Sequence, residues 1–442
     1  MEQSNDLRKD STSTIKVRRS SDDESQDRPS TQDLLEGRIL RRWVLFVASA
    51  AIISVLVGVA QGGIFTLSDV HWYLKIAQGE TSSVLQPFAS RQMGPLVARA
   101  LTNVPHVSIF SAFVIEGVIS IVVLLGAVGF LLLRAGAKLI LLAAIGGLAL
   151  WAELFNGLAL PDLWFAALLG IFLVLLYFKR YLAGALMLFP LFFSRESSIL
   201  VLLCLLTVGW RALRPVDRTA AVIASIAGIS LVKVLTIGGL SNQEQMSPLL
   251  YMAAKVPANF MKNVVGFPLW NNLSPGNCAT PQWQMSLHLG GVRTVGVCGY
   301  EPANTLWTVI FALNTFGLLP LLLVYLWRRR LTFVSSEDVM LRFCLLYGVI
   351  SYLLAPALGT GVPRLLSYAW PLFTVAVPVL ATRHLTIPRL SAVALLGLHL
   401  AIVWSPMLSS LGKFDLTPGI YLLAIAGGYV GGWILLRQGR TA

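Results

Sequence analysis

The chain consists of long apolar runs separated by short polar connections. A helix needs roughly 20 apolar residues to cross the hydrocarbon core of a bilayer, and fewer where neighbouring helices shield it. Periodicity and length therefore predict an all-α, polytopic transmembrane bundle of about 12 helices. The runs are residues 43–65, 107–133, 139–156, 163–178, 181–194, 198–211, 219–237, 305–327, 342–358, 367–382, 388–406 and 419–436.

Composition agrees with this pattern. Apolar residues make up 56% of the chain and charged residues only 12%, whereas a soluble domain carries about 25% charged residues. The charges are also concentrated near the beginning, before the first apolar run. A chain so poor in charge cannot cover itself with a water-compatible surface, so the predicted solvent is a lipid bilayer.

Residues 1–40 differ from the rest. They are polar, rich in serine and charged, and they lack the apolar core of a cleavable signal peptide. This composition predicts a disordered cytoplasmic tail. Residues 41–442 form the predicted transmembrane domain, whose two long outer loops are residues 66–106 and 238–304.

Basic residues mark every second junction between the apolar runs. They are Arg41, Arg42, Arg134, Lys138, Lys179, Arg180, Arg211, Arg214, Arg218, Arg328, Arg329, Arg330, Arg383, Arg389, Arg437 and Arg440. Cytoplasmic loops carry an excess of Lys and Arg, so we predict that both termini are cytoplasmic. The net charge of +13 then reflects topology, and no nucleic-acid partner is predicted. The short loops favour a bacterial plasma membrane.

Two cysteines lie in the second outer loop. Cys278 and Cys298 could be joined there by an oxidising compartment, and we favour a disulfide over a free pair. Cys204 and Cys344 lie within apolar runs and are interpreted as packing. No Cys/His cluster has the spacing of a zinc site, so no metal site is predicted from these residues.

Ionised side chains near the membrane are the functional candidates, because burying them in lipid costs several kcal/mol unless they face protein or water. Beyond the tail, nine acids map to the predicted outer side. Asp69 follows the first run, and Tyr73 and Ala77 come after it at helical spacing, which predicts an amphipathic surface helix. A blander interpretation is that Ser68 or Asp69 caps this helix. The other candidates are Arg91, Glu153, Asp162, Arg195, Glu196 and Arg364.

Each of these candidates has a structural alternative as a helix cap or a salt bridge. Together, several outward acids and three arginines predict a single polar cavity at the outer membrane face.

The motifs resemble those of a known family. The first outer loop is similar to that of polyprenol-dependent glycosyltransferases of the GT-C superfamily, and later segments are similar to further landmarks between residues 43 and 385. The Asp-Asp or Glu-x-Asp pair common in that first loop is absent here. The matching residues are Asp69-x-x-x-Tyr73-x-x-x-Ala77, Pro87-Phe88-x-x-Arg91-x-x-x-Pro95-Leu96, Pro161-Asp162, Arg195-Glu196 and Arg364 with Trp370-Pro371.

The resemblance implies a GT-C-like bundle that transfers a sugar from a polyprenyl-phosphate lipid to an acceptor at the extracytoplasmic face. A carboxylate can take the acceptor proton as general base, and Asp69 is the first candidate, before Asp162 and Glu153. Arginine binds phosphate in a bidentate manner, which assigns Arg195 and Arg364 to the donor, with Arg91 in reserve. Tyr73 and Glu196 complete the predicted substrate-binding set. No cofactor is certain, and a divalent metal bridging acid and phosphate is left open.

A multi-pass transporter or lipid flippase is the alternative, since many helices with charges in them suit that class too. A transporter commonly needs a polar site near the midplane that is reachable from both sides. An outward cavity that contains both Asp69 and Arg195 and joins a lipid-facing groove would favour the enzyme, and a central tunnel closed at both ends would favour transport.

Overall fold

The computed structural model describes residues 40–41, 43–45, 47–48, 52, 69–136, 160–236, 240, 247–273, 278–330, 334–335, 338–359, 361–412, 418–438 and 440–441. All but the last residue of the predicted tail (1–40), most of the first predicted helix (43–65) and the whole of the third (139–156) lie outside these residues. Glu153 lies outside them as well.

Helices dominate the described residues. The first outer loop contains α1 and α2, and α9 lies in the second outer loop. The helices are α1 (Val70–Gln78), α2 (Met93–Leu101), α3 (Ile109–Arg134), α4 (Pro161–Tyr177), α5 (Tyr181–Leu186), α6 (Leu188–Ser194), α7 (Ser198–Gly209), α8 (Pro215–Leu235), α9 (Pro248–Phe260), α10 (Pro302–Asn314), α11 (Leu319–Arg328), α12 (Val339–Leu358), α13 (Val362–Leu366), α14 (Val377–His384), α15 (Arg389–Gly412) and α16 (Pro418–Arg437).

Four of these helices, α3, α8, α12 and α16, are long and apolar enough to cross a membrane. Two bent pairs would raise the number in the described part of the chain to six. One pair is α10 with α11, which bend by 74°, and the other joins Val362–Ala369 to Pro371–His384 at 43°. Further apolar helical stretches of 10–17 residues are Pro161–Tyr177, Tyr181–Ser194, Ser198–Gly209 and Arg389–Val403. The structure is thus mostly helical, with four to six candidate spans among the described residues, which leave out most of the first apolar run and all of the third.

The bend between α10 and α11 has a local cause. Gly317 has a φ of +51°, in the left-handed region that glycine occupies without strain. A Cβ atom on Gly317 would lie 2.5 Å from Nδ1 of His399. That nitrogen accepts a hydrogen bond of 3.1 Å from the backbone N–H of Leu318. One apolar run in the sequence, 305–327, is therefore two helices in the fold.

The second predicted outer loop contains a small sheet that the sequence pattern did not lead us to expect. Strands β1 (Leu269–Asn271), β2 (Trp283–Leu289) and β3 (Val292–Val297) are antiparallel, with β3 in the centre. Val297 pairs with Leu269 on one side and with Trp283 on the other. The loop also has the disulfide between Cys278 and Cys298 that we favoured over a free pair. A two-stranded ribbon pairs β4 (Leu385–Thr386) with β5 (Arg440–Thr441).

A compact apolar cluster surrounds α1, the helix that follows Asp69. Helix α1 is confirmed where the spacing after Asp69 predicted it, and it buries Val70, Tyr73, Ile76 and Ala77. These side chains pack with residues of α2 and α3 and with Leu160, which immediately precedes α4. The apolar face of α1 is therefore covered by protein, and the beginnings of α1 and α4 belong to the same cluster.

Candidate functional site

Charged side chains from four distant segments meet in the structure. Asp69 precedes α1, and Asp162 lies in the first turn of α4, where the positive end of the helix dipole favours an acid. Arg195 is the C-cap residue directly after α6. Arg364 lies in the short helix α13, 295 residues after its partner Asp69. The fold therefore joins residues that the sequence could only group by their side of the membrane.

Asp162 is the centre of this group. Its side chain is completely buried, and its Oδ1 accepts hydrogen bonds from Nη1 of Arg195 and from the hydroxyl of Tyr368. Nε of Arg364 lies 3.3 Å from its Oδ2. The guanidinium of Arg195 also lies over the ring of Tyr368, 4.7 Å from its centroid. Two cations and a hydroxyl thus compensate a buried carboxylate, which would otherwise be very costly.

Arg364 connects this buried acid to a more exposed one. Its Nη1 donates a hydrogen bond of 3.1 Å to Oδ2 of Asp69, whose side chain is 31% exposed. Asp69 occupies the N-cap position of α1, but its side chain makes no capping hydrogen bond. The interpretation of the Asp69 side chain as a helix cap is therefore wrong, and Arg364 is its partner; Ser68, the other predicted cap, lies outside the described residues.

Arg91 and Glu196 form a second ion pair. Nη2 of Arg91 lies 2.6 Å from Oε1 of Glu196, and its Nε donates to Oε2 at 3.2 Å. Nη1 of the buried Arg91 donates to the hydroxyl of Tyr73 at 3.0 Å. The side chain of Glu196 is 42% exposed, and the charge and hydrogen bonds of Arg91 outweigh its partial desolvation and lower the pKa of Glu196 to about 2. Burial raises the pKa of Tyr73, so this phenol stays neutral.

The lowered pKa of Glu196 predicts a pH dependence of stability. A carboxyl with a depressed folded-state pKa stabilises the fold above its ordinary value, here 4.5, and this contribution is lost as pH falls toward about 2. Glu196→Gln should therefore have a lower Tm than the parent at pH 6. The difference should shrink between pH 4.5 and pH 2 in thermal unfolding of the detergent-solubilised proteins. A difference that stays constant down to pH 2 would contradict the ionised pair.

A cavity of about 370 Å³ opens beside these ion pairs. Among the described residues, its charged lining consists of Asp69 with four cations: Arg91, Arg195, Arg364 and Lys255. The acids Asp162 and Glu196 balance these cations without belonging to the lining. Trp72, Phe88 and Leu365 contribute apolar wall. The cavity therefore presents excess positive charge and one carboxylate to a ligand, next to aromatic and aliphatic surface.

Lys255 was not among the residues predicted from the sequence. It lies on α9, in the segment predicted as the second outer loop, and its Nζ donates to the hydroxyl of Tyr251 at 2.9 Å. Both side chains line the cavity. The available signal was Ser247 followed by Pro248, a common beginning of a helix; Oγ of Ser247 indeed caps α9.

Seven of the predicted site residues meet around this cavity. They are Asp69, Tyr73, Arg91, Asp162, Arg195, Glu196 and Arg364. Glu153 lies outside the described residues, and Cys278 and Cys298 form their disulfide in the second outer loop. The described residues contain no group of three or more His, Cys, Asp and Glu side chains that could hold a metal ion.

Comparison with known proteins assigns no family to this arrangement. No protein-family model matches the chain, and no curated protein and no solved structure shows a significant match to it. The basis for a function is therefore the chemistry of the cavity and of the ion pairs behind it.

Proposed function

We propose that the chain is an integral membrane glycosyltransferase that moves a sugar from a polyprenyl-phosphate donor to an acceptor at the extracytoplasmic face. One observation carries the proposal: a single cavity is lined by Asp69 together with Arg91, Arg195, Arg364 and Lys255. Glycosyl transfer from a lipid phosphate needs both kinds of group, a base for the acceptor and cations for the phosphate.

The cations suit a phosphate leaving group. Arginine presents several N–H donors in a planar fork that matches phosphate oxygens. Arg195 and Arg364 each form an ion pair with the buried Asp162. Their guanidinium groups are therefore already positioned, and little reorganisation is needed when negative charge develops on a phosphate in the cavity. Such preorganised donors are often the largest electrostatic contribution to catalysis.

Asp69 is the general base of the proposed reaction. Its carboxylate takes the proton of the acceptor hydroxyl while the acceptor oxygen forms a bond to the anomeric carbon of the sugar. The bond between that carbon and the phosphate oxygen breaks, and the phosphate leaves with the electron pair. Asp69 and Arg364 are joined by a hydrogen bond. The proposed base and the cation that would bind the departing phosphate are therefore adjacent.

Asp162 acts as a positioning residue in this scheme, because it is completely buried and does not line the cavity. Glu196 and Tyr73 act in the same way on Arg91. The donor lipid and the bilayer are the proposed partners, and the proposed location is a bacterial plasma membrane with both termini cytoplasmic. The four to six candidate spans support a membrane location.

One observation favours the alternative of a transporter or lipid flippase. Glu116 is buried within the candidate span α3, and its Oε2 has no hydrogen-bond partner among the described residues. Buried acids within membrane helices are typical of transport pathways. Against this, Asp69 and Arg195 line the same cavity, which is one part of the arrangement expected of the enzyme.

The proposal is tested with the purified full chain and a panel of radiolabelled polyprenyl-phosphate sugars, hexoses and pentoses, with membrane extracts as acceptors. We expect transfer of label from at least one donor to an extract component. Movement of labelled lipid across proteoliposome membranes without any transfer would instead support the flippase.

Arg364→Lys is expected to raise the KM for the lipid donor about tenfold or more. A lysine carries one point charge in place of the guanidinium fork, so it cannot contact Asp69, Asp162 and a phosphate as arginine can. Loss of one charge-assisted hydrogen bond is worth about 1.5–3 kcal/mol, and about 1.4 kcal/mol corresponds to a tenfold change.

The measurement is steady-state kinetics with the donor identified by the panel. The matched control is Arg383→Lys, which alters an exposed pair with Asp338 and should leave the KM unchanged. Identical kinetics of Arg364→Lys and the parent protein would argue against a phosphate role for Arg364.

A further inference from the structure

A second cavity, of about 400 Å³, lies between the end of α9 and the beginning of α10. Its lining combines hydrogen-bonding side chains with aromatic rings. These residues are Lys262, Asn263, Asn304, Thr308, Trp307 and Phe311. None of them belongs to the proposed donor site, so the second cavity requires an interpretation of its own.

The polar part of the lining suits a ligand with many hydroxyl groups. A side-chain amide has both donors and an acceptor, and a threonine hydroxyl can act as either. Asn263 uses its amide hydrogens on two backbone carbonyls, those of Pro356 at 2.7 Å and Gly359 at 2.9 Å. Its contribution to a ligand is therefore an acceptor. Asn304 donates to Oε2 of Glu301 at 2.7 Å and keeps its carbonyl oxygen for other partners.

The aromatic part of the lining adds a flat surface. The rings of Trp307 and Phe311 are nearly parallel, with an angle of 24° and centroids 5.6 Å apart. Trp307 also packs against Tyr421 of α16, which limits its rotation. A pyranose ring has an apolar C–H face and an edge of hydroxyl groups, and it can place the first against an indole while the second meets amides and a hydroxyl.

The two cavities share a wall. Gly359, Gly361 and Arg364 line the first cavity, and Val362 lines the second. Asn263 of the second cavity is hydrogen-bonded to the carbonyl oxygen of Gly359. Val362 and Leu366 of α13 are buried with Ala355 in a cluster against which Phe311 packs. A ligand in the second cavity therefore lies across the short helix α13 from the Asp69–Arg364 pair.

We propose that the second cavity binds a saccharide and is the subsite for the sugar part of the acceptor. The assignment as acceptor rests on the proposed glycosyltransferase function, but the binding of a saccharide does not. Lys262 on the lining makes acidic saccharides candidates alongside neutral ones.

The test is equilibrium binding of fluorescently labelled trisaccharides to the purified full chain, with hexose, N-acetylhexosamine and hexuronic acid units represented. At least one trisaccharide should bind, and Trp307→Leu and Asn304→Ala should each weaken its binding about tenfold. Trp307→Leu keeps an apolar side chain at this position. Asn304→Ala is a smaller change, so it still tests the site if Trp307→Leu does not fold. The matched control is Trp327→Leu, because Trp327 lies on α11, is 70% exposed and lines neither cavity.

Failure of binding by the whole panel would overturn the proposal, and so would affinities that both substitutions leave unchanged. Glycerol 3-phosphate is tested beside the saccharides; if it alone binds, and Trp307→Leu weakens it, the cavity takes a lipid head group and the saccharide proposal is wrong. Sugar transfer is measured on the same samples. Binding without any transfer would refute the glycosyltransferase and leave the saccharide site standing, whereas transfer without Trp307-dependent binding would refute only the subsite.

Discussion

Asp69→Asn is expected to lower the rate of sugar transfer by about 10²- to 10⁴-fold, the usual contribution of a general base. Asparagine has nearly the same shape as aspartate, and its carbonyl oxygen can still accept the hydrogen bond that Arg364 donates. It cannot accept a proton from the acceptor hydroxyl. The variant should therefore fold and bind donor while turnover is lost, as measured by single-turnover transfer of label from the lipid donor.

Glu80→Gln is the matched control for this variant. Glu80 is an exposed carboxylate in the same outer loop, and it is outside the lining of the cavity. Expression level, extraction yield and Tm should be alike in the parent and both variants. Full activity of Asp69→Asn would remove Asp69 from the mechanism, whatever the role of the arginines.

Asp162→Asn is expected to lower the free energy of unfolding by about 3–5 kcal/mol, the typical result of removing one partner from a buried ion pair. The substitution leaves the guanidinium of Arg195, whose side chain is 6% exposed, without the acid that compensates it. It also releases Nε of Arg364 from its position behind the cavity. Donor binding should weaken together with stability, because both cations lose their support.

Asp338→Asn is the comparison for Asp162→Asn. Asp338 pairs with Arg383 at 3.4 Å on the surface, and it also caps α12 by accepting from the N–H of Leu341. Asparagine caps a helix as well as aspartate does, so only the exposed ion pair is lost, at a cost of up to about 1 kcal/mol. Chemical unfolding in detergent measures both variants. Equal losses would show that Asp162 does not carry the buried network.

The candidate site could be predicted to a useful degree because the cost of burying charge is visible along the sequence. Asp162, Arg195 and Arg364 each stand at the edge of an apolar run, where an ionised group needs a reason to be present. Lys255 has no such context, since it lies in the long second outer loop, and only the formation of α9 brings it to the cavity.

The three-stranded sheet of β1, β2 and β3 was missed for a different reason. Gly290 and Gly291 separate β2 from β3 by two residues, and such a pair is a recognised signal for a hairpin. That signal was present but was outweighed by the helical pattern of the rest of the chain. The relation between apolar runs and helices depends on a further factor, because hydropathy detects apolar runs and not the breaks within them. A break such as the one at Gly317 depends on His399, which is distant in sequence.

The sequence by itself determined a helical, apolar chain and a set of ionisable residues that must avoid lipid, because hydropathy and the cost of desolvation are properties of short segments. Only the tertiary structure decided how those residues pair: Asp162 is buried between two arginines, while Asp69 stays accessible beside Arg364. Burial and pairing depend on contacts between segments far apart in the chain. For that reason the sequence could name both acids as candidates but could not distinguish the accessible one from the one that is enclosed.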